Sequence, residues 1–102
     1  MVRMLKEKDK SSFIKKMFSM VEKEPDDIIC WINNGTAFEV VDSIMLAEKL
    51  LPIYFRHKNF TSLIRQLNFY SFYKVTIKDR TIYQHSNFMR NRPELLKKIK
   101  FL

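Results

Sequence analysis

Hydrophobic positions recur at helical spacing in four stretches of the chain and alternate at strand spacing between them. Phe13, Ile14, Met17 and Val21 share one face of a helix predicted from residue 13 to about 22, with Ser12 as its N-cap. Glu24-Pro25-Asp26-Asp27 ends it. Residues 28–32 and 37–41 read as strands, joined by Asn33-Asn34-Gly35-Thr36, whose Asn-Gly pair supplies the positive φ angles of a hairpin turn. Asp42 or Ser43 caps a second helix with Ile44, Ala47, Leu50 and Leu51 as its apolar stripe, and Pro52 is expected to break or bulge it near its end. After the turn Arg56-His57-Lys58-Asn59, a third helix is predicted over about residues 60–70. Two more strands, 72–77 and 82–84, flank Lys78-Asp79-Arg80-Thr81, and Pro93 opens a last short helix with Leu95, Leu96, Ile99 and Leu102 on one side. Two helices joined by a short turn and followed by a hairpin predict an α+β fold of the winged helix-turn-helix class. Its expected parts are a three-helix core, a small four-stranded antiparallel β-sheet, a short wing and a short C-terminal helix.

At 102 residues the chain is one domain with material for a single core. Residues 1–11 read as a charged, flexible arm and residues 12–102 as the domain. No repeat or low-complexity segment is visible. The lone Cys30 cannot form an internal disulfide, and beside Trp31 it is expected to be a buried structural thiol. No apolar run approaches a membrane span, and the charged start lacks a signal-peptide core, so the expectation is a soluble, intracellular protein without a membrane partner. His57 and His85 lack companions at metal-ligand spacing. No carboxylate pair or nucleophile-base arrangement is present either, so the chain is expected to be no enzyme, with no metal, cofactor or small-molecule substrate.

Charge changes the picture. Residues 1–48 hold 7 Lys/Arg against 9 Asp/Glu, whereas residues 49–102 hold 12 against 2, which together make the net +8. A basic half beside a slightly acidic one is the electrostatic footprint of a polyanion binder. Within the basic half, Phe60, Leu63, Ile64, Leu67 and Tyr70 occupy one sector of the third helix. Ser62, Arg65, Gln66 and Phe69 occupy the opposite one, with Thr61 and Asn68 on its flank. That outer face carries no acid, unlike an ordinary surface helix, and its side chains match base edges: Arg to guanine, Asn or Gln to adenine. Phe69 on such a face is costly unless it meets the wing, the last helix or a thymine methyl. A winged-helix protein-interaction module would favour exposed apolar anchors here, and a non-specific nucleic-acid binder would show no base preference.

The stretch from Leu51 to Val75, LPIYFRHKNFTSLIRQLNFYSFYKV, closely resembles the heat shock factor signature L-P-x-Y-F-K-H-x-N-x-x-S-F-V-R-Q-L-N-x-Y-G-F-x-K-V. Weaker agreement reaches outwards through Ser12-Phe13-Ile14-Lys15-Lys16, Cys30-Trp31, Phe38 with Val40, and His85 followed by Phe88 and Arg90, covering about residues 12–101. The resemblance implies a nuclear transcription factor of the stress response. Its partner would be double-stranded DNA, with the third helix in the major groove of heat-shock-element-like nGAAn units. It implies that Arg65 reads the guanine with Ser62, Gln66 and Asn68 in support, and that Arg56, His57, Asn59, Tyr70, Lys74 and Arg90 bind the backbone. One domain reading a few base pairs binds weakly, so other copies of the chain on repeated sites are expected. The sequence departs from the family pattern at Ser71, where Gly is usual, and at Ser86 and Asn91, where Pro and Gly are usual. Its wing is cut to about four residues, whereas the family's is long and resembles a protein-contact element.

Overall fold

The computed structural model describes residues 2–101, with side chains from Ser12 onward. Helix α1 (Val2–Lys23) begins at Val2, so Ser12 lies inside it and does not cap it. The reason is local: Leu, Met, Lys and Glu before Ser12 are good helix formers, and a capping residue cannot stop a helix that its predecessors extend. Residues 2–11, expected as part of a flexible arm, form the first part of this helix, and their side chains lie outside those described.

Strands β1 (Ile29–Ile32) and β2 (Ala37–Val40) pair antiparallel from Ile29 opposite Val40 to Ile32 opposite Ala37. Between them Asn33, Asn34 and Gly35 all take positive φ (51°, 57° and 82°), the geometry that the Asn-Gly pair announces. Gly35 is also required sterically. A Cβ there would lie 2.6 Å from Arg90 Cβ, and the Arg90 N–H donates to the Gly35 carbonyl at 2.9 Å.

Helix α2 (Ser43–Met45) starts at Asp42, whose carboxylate accepts from the Met45 N–H at 2.9 Å. It continues as a π turn, Leu46–Leu50, and then as α3 (Leu51–Tyr54). Pro52 has no N–H to give the Glu48 carbonyl, and the turn before it is wide, the Leu51 N–H donating to the Leu46 carbonyl. The extra residue shifts the apolar phase. Leu46, Leu50 and Leu51 turn inward, while Ile44, expected on the stripe, is 76% exposed.

Helix α4 (Phe60–Phe69) leads into β3 (Tyr73–Ile77) and β4 (Arg80–Gln84). The four strands form one antiparallel sheet in the order β1-β2-β4-β3. The connection between β3 and β4 is only Lys78-Asp79, because Ile77 pairs with Arg80 and Thr76 with Thr81. The polarity of Arg80 and Thr81 mimics a loop; in fact the Arg80 guanidinium is bonded to Glu39 on β2. The expected last helix is a 3-10 segment, Pro93–Lys98, after which Ile99 turns extended and buries its side chain. Leu102 lies outside the described residues.

α1, the π turn, α3 and α4 close over one face of the sheet. Met17, Met20, Phe38, Leu46, Leu51, Leu63, Leu67 and Phe88 are fully buried there. Phe88 lies at the centre, 5.1–5.6 Å from the rings of Phe18, Trp31, Phe38 and Phe72, and so ties α1, the sheet and the last loop together. Cys30, expected to be buried, lies half-exposed on the opposite sheet face, in register with Glu39. Burial first, and then Asp26 and Glu39, push its thiol pKa up, away from the reactive thiolate.

Two backbone and side-chain features give measurable consequences. Ser71 ends α4 at φ 67°, with its N–H on Asn68 and the Phe72 N–H on Leu67, so a β-carbon sits where glycine is favoured. Ser71→Gly is expected to raise unfolding free energy by about 0.5–1 kcal/mol, the left-handed cost less glycine's own entropy, read by denaturant titration. Asn91 has φ 64° at the other such position, but Asn tolerates that conformation better. The half-buried His85 rests on Phe72 and accepts from the Asn87 N–H; burial holds its pKa below the usual 6.5. Protonation is therefore opposed in the folded chain and free in the unfolded one. His85's contribution is complete above pH 6.5 and is lost as pH falls through the depressed folded value. Melting temperatures are expected to drop from about pH 7 to about pH 5, and less steeply for His85→Gln.

Candidate nucleic-acid interface

The approach to α4 is a rigid turn. Arg56 takes φ 61°, His57 Nδ1 accepts from the Asn59 N–H at 2.9 Å, and Asn59 Oδ1 accepts from the Ser62 N–H at 3.0 Å. Asn59 is thus the N-cap of α4, and its side-chain NH2 remains as a donor. With Nδ1 accepting, the neutral His57 ring carries its proton on Nε2, on the far side of the ring. Arg56, His57 and Asn59 are all exposed, so three polar groups stand together just before the helix.

Along α4 the two faces separate as the helical period requires. Leu63, Leu67 and Tyr70 are buried, with Phe60 and Ile64 half-buried against the core. Arg65, Gln66 and Asn68 are exposed and Ser62 is half-exposed. The guanidinium and two carboxamides therefore project from one rigid cylinder with no acidic residue among them, the donor and acceptor set that reads base edges in a groove.

The sheet extends this surface. Phe38, on the core-facing side, lies opposite Tyr83, and Tyr83 lies opposite Lys74. Directly opposed residues share a face, so Lys74 projects from the helix-bearing side of the sheet at its exposed edge strand. Arg90 is held at the hairpin by its bond to Gly35. Among the described residues the ion pairs join Lys58 to Glu48, Arg80 to Glu39 and Arg92 to Glu94. Arg56, Arg65, Lys74 and Arg90 take part in none of these, so their charge is not spent within the domain.

Tyr70, expected at the DNA backbone, is 2% exposed, with its ring stacked on Phe13 at 5.3 Å and 7°. Gly35 has a part that its turn role did not suggest: it is the seat of Arg90. The sequence signal is present but weak, since a glycine in a hairpin has a sufficient local explanation. No group of three or more His, Cys, Asp or Glu among the described residues could hold a metal ion, and no described helix is long and apolar enough to cross a membrane.

Comparison with known proteins places this surface in a family. The family model for HSF-type DNA-binding matches residues 13–101. Heat shock factor protein of Xenopus laevis is 38% identical, the match covering 87% of this chain and 22% of that protein. Heat shock factor protein 1 of Homo sapiens is 37% identical, over 87% of this chain and 19% of that one. The chain thus spans about a fifth of the length of these curated relatives. Among solved structures, Chaetomium thermophilum Skn7 with SSRE DNA has a TM-score of 0.82 at 30% identity, over 89% of this chain and 99% of that chain. The same protein with HSE DNA gives 0.78 at 32% identity, over 87% and 98%. With the family model matching residues 13–101 and relatives 37–38% identical over 87% of its length, the chain belongs to the HSF-type DNA-binding family.

Proposed function

We propose that this chain is the DNA-reading module of a nuclear transcription regulator, which places α4 in the major groove of heat-shock-element-like duplexes and carries no enzymatic activity. The observation that carries this reading is the outer face of α4, where Arg65, Gln66 and Asn68 are exposed while Leu63 and Leu67 anchor the opposite side. Arg65 is the guanine reader, with Ser62, Gln66 and Asn68 around it. Arg56, His57, Asn59, Lys74 and Arg90 flank them as phosphate contacts. Skn7 is described with two named DNA elements, and the resemblance of the signature stretch to heat shock factors favours the heat-shock type here. A protein-docking role has less support, since the one apolar side chain on the outer face, Phe69, already meets Phe101. A single module of this size reads few base pairs, so useful affinity comes from copies on repeated sites.

Binding to duplexes with nGAAn repeats and to scrambled duplexes, at several salt concentrations, tests the proposal. Equal affinity for both would end it. Arg65→Ala is expected to cost about 1–3 kcal/mol on the matched duplex and to relax selectivity at one base position. Lys74→Ala should weaken binding to both duplexes alike and reduce the salt slope by about one.

A further inference from the structure

Phe69 stands on the groove side of α4, in line with Ser62 and Arg65, yet it is only 43% exposed because Phe101 covers part of it. The two rings lie 5.6 Å apart, and the Phe101 ring also meets Tyr70 edge-on at 5.1 Å. The chain after the 3-10 segment therefore returns to the end of the recognition helix. It borders an open cleft of about 690 Å³ beside α1, lined by Ile14, Phe18, Leu96 and Ile99 among others. Ile99 is buried with extended backbone (φ −80°, ψ 126°), and Phe101 seats on Phe69 and Tyr70. In extended chain alternate side chains point to opposite sides, so Lys100, between two inward anchors, points outward. It is exposed and belongs to none of the ion pairs among the described residues, whereas the one acid of this segment, Glu94, is engaged by Arg92.

We infer that residues 99–101 form a second DNA-backbone contact: Phe101 clamps the segment to the recognition helix, and Lys100 meets a phosphate beside the groove. This rests on the reading of α4 as the groove-bound helix. A recognition helix meets bases with its N-terminal part, so its C-terminal end, where Phe69 lies, rides out towards the groove wall and the phosphates. Phe101 is in this scheme a positioning residue and Lys100 the contact.

The test measures affinity for matched and scrambled duplexes against salt for the parent chain, Lys100→Ala, Phe101→Ala, Phe101→Tyr and the double Lys100→Ala/Phe101→Ala variant. Lys100→Ala is expected to reduce the slope of log K against log salt by about 0.9, with the matched-to-scrambled ratio unchanged. Over a fourfold rise in salt the parent should then lose about threefold more affinity than the variant. Phe101→Ala should lose the same slope although it removes no charge, Phe101→Tyr should keep it, and the double variant should add nothing further. An unchanged slope in Lys100→Ala overturns the inference, as does tighter binding by Phe101→Ala, which would mean that the segment obstructs the groove. A parent chain that fails to prefer the matched duplex defeats the reading of α4 instead, so the two failures are separate.

Discussion

The burial of Leu63 and Leu67 in the hydrophobic core decides how the whole surface is presented. Removing either side chain down to the β-carbon would cost about 2–5 kcal/mol, several times the ~1 kcal/mol of a helix cap. The core therefore sets the rotation of α4 about its axis, and the caps at Asn59 and Ser71 only set where it begins and ends. Because the helical period is fixed, holding the leucines inward holds Arg65 and Gln66 outward without any contact of their own. Tyr70 completes this arrangement by stacking on Phe13, so α1 governs the angle at which the reading face leaves the domain.

The acidic first half and basic second half of the chain become a difference of use in space. Several acids serve as acceptors inside the domain. Glu22 takes the Trp31 indole N–H, Asp42 caps α2, and Glu24 accepts from the Tyr54 hydroxyl at 2.7 Å. Burial, reinforced by Glu24, pushes that phenol up to about 12, so at neutral pH the hydroxyl keeps the proton it donates. Glu39 holds Arg80, whose hydrogen bonds, and then its charge, keep the Glu39 carboxyl below its ordinary range. Among the described residues Arg56, Arg65, Lys74 and Arg90 join none of the ion pairs, and the positive field they leave is what a phosphate backbone would neutralise.

Most of the architecture was legible because its signals are local. Asn34-Gly35, Asp42, Pro52 and the 60–70 stripe each announce their geometry within a few residues, and each is found where expected. The misreadings come from long-range or cumulative effects. The cap at Ser12 lost to helix formers upstream, Ile44 lost its place to a one-residue phase shift, and Arg80-Thr81 joined a strand through Glu39 on a distant one. The site divides in the same way. Which residues leave α4 outward follows from periodicity, whereas the seat of Arg90 on Gly35 and the meeting of Phe101 with Phe69 depend on how remote segments fold back, which no spacing rule encodes.

The Lys78-Asp79 connection carries one more consequence. A two-residue tip ends within about one strand step, some 3.4 Å per residue, of the last ladder pair. It has no length with which to grip a domain seated on an adjoining stretch of duplex. On the proposed reading, copies seated on repeated sites would therefore not be coupled, nor their spacing set, through this element.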